Sequence, residues 1–272
     1  MIELYPAIDI MDGCAVRLVK GDFGARKVYD EDPLQAARGW GEAGARSLHV
    51  VDLDGAREGR PANLGHLERI VSELGLPVQF GGGLRTLDGI RAALGAGAER
   101  VILGTAAFAD PGLLESALQE HGPERVMVAV DVRGGRVTTE GWTKTTEIHV
   151  GEVFTALSSR GVRELVYTAV DRDGMLEGID LEEVARTADA VGEGGRLTYS
   201  GGVGSLADLS GLAALKAPNL KGVIVGKALY EERFTIAEAH AALGSARAGS
   251  TGPGSPPPGS TSPGPGPTPT GA

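Results

Sequence analysis

The sequence has one cysteine, few aromatic residues and no long apolar run. Cys14 is the only thiol among 272 residues, and Phe, Trp and Tyr together make up 4%. A lone thiol excludes an intrachain disulfide framework and a cysteine-clustered metal site, and it suits a reducing cytoplasm. No stretch reaches the roughly 18 apolar residues of a membrane span. The N-terminus has no basic segment before its apolar run, so we expect neither a signal peptide nor membrane contact.

Basic residues are scarce relative to acidic ones. The chain has 36 Asp and Glu against 26 Lys and Arg, a formal net charge of −10. This balance argues against nucleic acid and anionic membranes as partners. A phosphorylated small molecule would therefore depend on backbone amides or on a few placed cations.

The C-terminal segment lacks every apolar side chain larger than alanine. Residues 245–272 contain only Ser, Ala, Arg, Gly, Thr and Pro. Such a segment cannot offset the entropy lost on ordering. We predict a disordered tail at 245–272 and one catalytic domain at 1–244.

Strand-like and helix-like segments alternate through the predicted domain. Near-continuous apolar runs predict strands at 4–10, 47–53, 77–80, 100–104, 125–131, 164–170, 196–200 and 222–226. Amphipathic segments lie between them, such as residues 32–44, where Pro33 follows a capping Asp32. Eight strand–helix units predict an α/β protein with the (β/α)8 TIM barrel fold. A doubly wound open sheet is the alternative.

Three pairs of segments repeat in the same order. "YPAIDIMDG" resembles "MVAVDVRGG", "FGGGLRTLDGI" resembles "YSGGVGSLADL", and "VILGTAAF" resembles "VIVGKALY". The paired segments begin at residues 5 and 127, 80 and 199, and 101 and 223, so the offset is nearly constant. We predict a duplicated half-barrel with a pseudo-twofold axis, which an open sheet would not produce.

An aspartate ends the first and the fifth predicted strands, at Asp9 and Asp131. TIM barrels place their active sites at the C-terminal ends of the strands, where strands one and five face each other. One ionised and one protonated carboxyl group suffice to take a proton from carbon and give one to oxygen. Either aspartate could instead cap a helix or pair with Arg17 or Arg133. The symmetry of the pair favours the catalytic interpretation.

Glycine turns follow four of the predicted strands. Gly81–Gly83 and Gly104–Thr105 form what we call the first cradle, and Ser200–Gly202 and Gly226–Lys227 form the second cradle. Glycine lets backbone N–H groups approach an oxyanion, and a helix N-terminus adds partial positive charge. These turns could merely be tight connections. As matched pairs on opposite rims, they predict an elongated small molecule with a phosphate at each end.

Other site types find little support. No nucleotide-binding motif or His/Asp/Glu metal spacing is present. Among the five histidines, His49 in the second predicted strand is best placed to reach the mouth of the barrel. A structural role is the alternative for it.

The motifs as a set resemble a known family. "PAIDIMDGCAVRLVKGDF" (6–23), "FGGGLRT" (80–86), "TAVDRDGMLEG" (168–178) and "VIVGKALYEERFT" (223–235) are similar to the phosphoribosylformimino-aminoimidazole-carboxamide ribotide isomerases of histidine biosynthesis. The resemblance covers residues 1–244. It implies a TIM barrel that needs no cofactor or metal and converts a bisphosphorylated aminoaldose to the aminoketose by an Amadori rearrangement. We expect a cytoplasmic monomer.

The resemblance also implies roles for single residues. Asp9 matches the general base that takes the proton from C2 of the sugar. Asp131 matches the general acid that protonates the ring oxygen, with Asp173 as the alternative acid and Thr168 as a supporting residue. The other substrate contacts would be Gly82, Gly83, Gly104 and Thr105 at one phosphate, Gly201, Gly202, Gly226 and Lys227 at the other, and Arg17 and Trp142 elsewhere.

Three alternatives to a single-substrate isomerase remain. The cyclase subunit of imidazole glycerol phosphate synthase shares both aspartates and both cradles but lacks the run "AVRLVKGDF". A non-catalytic barrel that binds phosphoribosyl ligands would gain nothing from two carboxylates. A dual-substrate isomerase would also accept phosphoribosyl anthranilate, and the short loop 133–142 does not separate it from the single-substrate form.

Overall fold

The structure, a computed structural model, describes residues 1–19, 22–139 and 144–244. The described strands are β1 (Glu3–Met11), β2 (Cys14–Val19), β3 (Asp22–Asp30), β4 (Leu48–Asp52), β5 (Val78–Gly81), β6 (Arg100–Leu103), β7 (Val126–Arg133), β8 (Arg136–Thr139), β9 (Lys144–His149), β10 (Glu164–Ala169), β11 (Arg196–Ser200) and β12 (Leu220–Val225). The described helices are α1 (Pro33–Glu42), α2 (Leu53–Glu58), α3 (Leu64–Leu74), α4 (Leu87–Gly95), α5 (Thr105–Ala109), α6 (Pro111–His121), α7 (Val150–Ser159), α8 (Leu181–Ala190), α9 (Leu206–Ala214), α10 (Lys227–Tyr230) and α11 (Ile236–Ala242).

Eight of the strands close into a parallel barrel in the order β1, β4, β5, β6, β7, β10, β11 and β12. The sheet closes because β12 pairs in parallel with β1, with Glu3 opposite Gly222 and Pro6 opposite Val225. Closure excludes the open-sheet alternative, and the predicted (β/α)8 TIM barrel is confirmed. Each predicted strand is present, with its ends within two residues of the observed ones.

Two antiparallel hairpins at the mouth of the barrel were missed from the sequence. Strands β2 and β3 follow β1, and strands β8 and β9 follow β7. The interpretation of 133–142 as a short loop was wrong for residues 136–139, which form β8. Charged residues and glycines interrupt these strands, so they lack the continuous apolar runs of the barrel strands. The hairpins also repeat, since Met11 pairs with Cys14 and Arg133 with Arg136.

The barrel interior is filled by every second residue of its strands. On β1, Tyr5 and Ala7 belong to a small interior cluster, whereas Leu4 and Ile8 pack into the larger core beneath the helices. Side chains of a strand alternate between its two faces. Asp9 is the next residue after Tyr5 and Ala7 that faces the interior, and it lies above their apolar layer.

The helices cover the outside of the barrel with apolar faces. Helix α1 begins after Asp32, whose side chain accepts a hydrogen bond from the Leu34 N–H at 3.1 Å, and Pro33 occupies its first turn. This helix start is as predicted, and it buries Leu34 and Ala37 against the sheet. Among the described residues, no helix has the length and hydropathy needed to cross a bilayer. The predicted tail at 245–272 lies outside the described residues.

Candidate active site

A cavity of about 380 Å³ opens at the C-terminal ends of the barrel strands. The predicted site residues that line it are Asp9, Arg17, His49, Gly82, Gly83, Gly104, Thr105, Asp131, Thr168, Asp173 and Gly226. An adjoining pocket of about 20 Å³ is lined by Gly201, Gly202 and Lys227, and it shares Arg17, Asp173 and Gly226 with the larger cavity. The predicted contact Trp142 lies outside the described residues. The structure thus gathers the other predicted residues at one end of the barrel.

Asp9 is a buried carboxyl group in this cavity, with 7% of the residue exposed. The Arg17 guanidinium donates a hydrogen bond from Nη1 to Asp9 Oδ2 at 2.8 Å. Burial raises the pKa of Asp9, Arg17 partly opposes that rise, and the charge of Asp173 adds to it. A carboxylate with a raised pKa is a stronger base than an exposed one.

Asp131 lies across the barrel from Asp9. Strand β7 is the fourth strand from β1 in either direction around the closed sheet. Asp131 pairs in register with Thr168 on the neighbouring β10, and both residues line the cavity. The Thr138 hydroxyl donates to the backbone carbonyl of Asp131 at 3.1 Å, which ties the second hairpin to the end of this strand.

Arg17 connects Asp9 with the second cradle. Its Nη2 lies 3.7 Å from Asp173 Oδ2. Its guanidinium also lies against the backbone of Gly226, because a Cβ placed there would come within 2.7 Å of Arg17 Cζ. Burial lowers the pKa of Arg17, but the carboxylates of Asp9 and Asp173 outweigh this and raise it. The pairing of Asp9 with Arg17 considered from the sequence is therefore present, and it is made inside the cavity.

His49 both faces the cavity and makes a structural contact, the two roles considered for it from the sequence. It lines the cavity from β4, and its Nδ1 is 3.1 Å from the Gln79 amide nitrogen. Burial, with a smaller contribution from Arg17, lowers the pKa of His49 to about 3. The imidazole is therefore neutral at physiological pH and cannot supply a proton as a cation. Among the described residues, no group of His, Cys, Asp and Glu is arranged to hold a metal ion.

The first cradle is built on close backbone packing. Gly82 has a φ of +113°, and a Cβ there would lie 2.1 Å from the Asp52 carbonyl oxygen, so a side chain does not fit. Gly104 precedes α5 without a side-chain capping bond, which leaves the first N–H groups of that helix without a side-chain partner at the cap. Arg85 lines the cavity here as well. Sequence reasoning missed Arg85, although it stands two residues after the triple glycine.

The second cradle repeats this construction with different charged groups. Gly201 has a φ of +102°, and a Cβ there would lie 2.6 Å from the Ala169 carbonyl oxygen. Lys227, in the first turn of α10, donates from Nζ to the Gly174 carbonyl at 2.9 Å. Each cradle thus has a nearby cation, Arg85 at the first and Lys227 with Arg17 at the second. Local positive charge of this kind is what an acidic chain needs to hold an anion.

Comparisons with known proteins find similar sequences over most of the chain. The model of a family described as "Histidine biosynthesis protein" matches residues 3–235. Proteins named 1-(5-phosphoribosyl)-5-((5-phosphoribosylamino)methylideneamino) imidazole-4-carboxamide isomerase are similar over most of their length. The relative from Gloeobacter violaceus is 46% identical over 246 residues, 90% of this chain and 95% of its own. The relative from Rubrobacter xylanophilus is 47% identical over 241 residues, 89% of this chain and 96% of its own.

Proposed function

Because the chain belongs to the histidine biosynthesis protein family, we propose that it is an intramolecular aldose–ketose isomerase acting on the substrate for which those relatives are named. The observation that supports this most is one cavity that contains Asp9 and Asp131 between two glycine cradles. The name of these relatives contains two 5-phosphoribosyl groups. Two phosphate-binding ends match such a molecule.

Binding begins with the two phosphates. At the first cradle, backbone N–H groups of Gly82, Gly83, Gly104 and Thr105 hold one phosphate, with Arg85 as the nearby cation. At the second cradle, Gly201, Gly202, Gly226 and Lys227 hold the other, with Arg17 beside Gly226. Fixing both ends places the reacting sugar between the aspartates, and holding reacting groups in place lowers the entropic part of the barrier.

The chemistry is an Amadori rearrangement carried by general acid–base catalysis. Asp131 donates a proton to the ring oxygen of the aminoaldose, the bond from C1 to that oxygen breaks, and a Schiff base forms. Asp9 then takes the proton from C2, and the electron pair moves through C1 to the nitrogen to give an enolamine. Proton transfer to C1 and loss of the C2 hydroxyl proton yield the aminoketose. Overall no atom or electron is gained or lost.

The other polar residues of the cavity assist these steps. Thr168 pairs in register with Asp131 and supports it near the reacting atoms. His49 is neutral and contacts substrate as a hydrogen-bonding group. Asp173 remains the alternative acid, because it lies in the same cavity next to Arg17. The proposal includes a cytoplasmic monomer, an expectation that rests on the sequence.

An isomerase assay with two substrates tests the proposal. The purified protein should convert the histidine-pathway aminoaldose without added metal or nucleotide. Phosphoribosyl anthranilate, assayed side by side, should not be converted at a comparable kcat/KM. Equal turnover of both would replace the single-substrate assignment with the dual one. No turnover of either would contradict the isomerase itself.

A further inference from the structure

A buried carboxylate outside the cavity supports the first cradle. Asp52 ends β4 and is fully buried, with 0% of the residue exposed. Its Oδ1 accepts hydrogen bonds from the Gly55 N–H and from Asn63 Nδ2, both at 2.7 Å. Its Oδ2 accepts from the N–H groups of Ala62 at 2.7 Å and of Asn63 at 2.9 Å. An ionised carboxylate can accept all four bonds, which offset the cost of burying its charge.

These four bonds close the segment 53–63 into a compact unit. Two of the donors lie near its beginning and end, at Gly55 and Ala62, so one side chain joins both ends of the segment. Asn63 is itself buried and also donates to Asp54 Oδ2 at 3.0 Å. We call residues 53–63, the connection after β4 that includes the short helix α2, the first loop.

The first loop is in direct contact with the first cradle. A Cβ on Gly82 would lie 2.1 Å from the carbonyl oxygen of Asp52, and a Cβ on Gly83 would lie 2.4 Å from that of Gly55. The two glycines therefore rest on the backbone that Asp52 holds. If that backbone shifted, the N–H groups of the turn would shift with it.

Arg85 rests on the same loop. Its Nη2 donates to the carbonyl of Ala56 at 3.0 Å. Its guanidinium lies over Gly59, where a Cβ would come within 2.8 Å of Nη1. The position of the cation at the first cradle is thus set by the first loop as well.

We propose that Asp52 is a positioning residue that sets the geometry and anion affinity of the first cradle through the first loop. The inference rests on the proposed function, in which this cradle holds one of the two substrate phosphates. Asp52 does not act on the reacting atoms. Its removal should therefore weaken phosphate binding at the first cradle and leave the second cradle and the chemical step largely intact.

The test compares Asp52→Asn with a matched variant, Glu164→Gln. Asparagine keeps one acceptor oxygen and places an amide NH₂ against N–H donors, so the four-bond arrangement is lost. Glu164 is also a buried carboxylate, 2% exposed and 2.7 Å from Arg196 Nε, but it lies at the opposite, N-terminal end of its barrel strand. Its variant controls for a general loss of stability.

Inorganic phosphate is the probe, and crystals equilibrated with increasing phosphate report both cradles separately. In the wild type and in Glu164→Gln, both cradles should fill. In Asp52→Asn, the first cradle should need about tenfold more phosphate, since displacements on the order of 1 Å are costly in such sites, and the second should be unchanged. Steady-state kinetics should show a raised KM with kcat within about twofold.

Each of the following outcomes would overturn the inference. Unchanged occupancy of the first cradle in Asp52→Asn would show that the loop does not set its affinity. Equal weakening at both cradles, or the same change in Glu164→Gln, would assign the effect to stability alone. No phosphate at the first cradle of the wild type would contradict the cradle itself and therefore the proposed function. Should Asp52→Asn fail to fold, Asn63→Ala is the second variant, because it leaves three of the four bonds to Asp52. It should weaken phosphate binding at the first cradle by about threefold. Unchanged phosphate binding in Asn63→Ala would also contradict the inference.

Discussion

The two loops that follow β4 and β10 start from equivalent positions and are held in different ways. Asp9 pairs with Val51 in the first half, and Asp131 pairs with Thr168 in the second. Val51 and Thr168 are therefore equivalent positions, and so are the residues that follow them, Asp52 and Ala169. The contacts agree, because Gly82 packs on the Asp52 carbonyl and Gly201 on that of Ala169. In the first half a carboxylate closes the loop. In the second half a methyl group stands in its place.

The second loop, residues 170–180, is held instead by hydrogen bonds to backbone carbonyls, one of which lies within the loop, from Arg172 Nη1 to the Gly178 carbonyl at 3.3 Å. Gly178 donates to the Gly202 carbonyl at 3.1 Å, and Lys227 donates to the Gly174 carbonyl at 2.9 Å. This loop also carries Asp173 into the cavity. We infer that the first cradle is a fixed anchor and that the second loop is the adjustable side of the site. In the proposed function each half of the barrel holds one phosphate, and the two halves differ in how their loops are held.

The largest expected effect concerns residues that the two halves share. Asp9→Asn should lower kcat by about a hundred- to ten-thousandfold, because the base that removes the C2 proton is lost. Asp131→Asn should show a loss of similar order. Binding of the bisphosphate product, measured by calorimetry, should stay within about tenfold of wild type, since both cradles remain. Full activity of Asp9→Asn would overturn the assignment of the base.

The next effect separates the two loops. The segments "VDLDG" (51–55) and "VDRDG" (170–174) are similar in sequence, and an alignment of the two matches Asp54 with Asp173. Asp54 is buried and accepts from the Asp12 N–H at 2.8 Å, whereas Asp173 lines the cavity. Asp173→Asn should lower kcat by about tenfold or more. Asp54→Asn should keep kcat and lower the free energy of unfolding by about 1–3 kcal/mol. The reverse pattern would remove the functional distinction between the loops.

A smaller effect concerns pH. The buried Asp9 must be ionised to act as a base, so kcat should be fully present above its raised pKa and lost as pH falls through that pKa. Arg17 lowers the pKa of Asp9, and its removal in Arg17→Gln should move the acidic limb of the kcat profile to higher pH. Glu164→Gln serves as the control. An unmoved limb in Arg17→Gln would show that another group titrates.

The smallest effect is on backbone dynamics. Amide hydrogen exchange at Gly55, Ala62 and Asn63 should be slow with or without the bisphosphate product, because Asp52 accepts hydrogen bonds from these three N–H groups. Residues 170–180 should exchange faster in the free protein and become protected when product binds. Equal exchange rates in both loops of the free protein would contradict the inference that the first loop is fixed and the second is adjustable.

Much of this arrangement follows from the sequence, for a physical reason. Continuous apolar runs mark the strands of a parallel barrel, and their period of two places Asp9 and Asp131 toward its interior. The roles of the loops do not follow in the same way. An alignment of the two D-x-D-G segments matches Asp52 with Asp171. The strand register instead makes Ala169, two residues earlier, the equivalent of Asp52.

Contacts between distant segments were also beyond sequence reasoning. Arg85 rests on the Ala56 carbonyl, 29 residues earlier in the chain. The ion pair of Arg17 with Asp173 joins β2 to the loop after β10. Neither pair is implied by periodicity or by local propensity, because the first depends on the pairing of β4 with β5 and the second on closure of the barrel between β12 and β1.

The most direct test is a crystal structure of Asp9→Asn with the bisphosphate product bound. We expect one molecule that bridges the cavity, with one phosphate on the N–H groups of Gly82, Gly83 and Thr105 and the other on those of Gly202 and Lys227. Its sugar carbons should lie between residue 9 and Asp131. A product molecule held at one rim only, or one whose carbons lie away from both positions, would contradict this expectation.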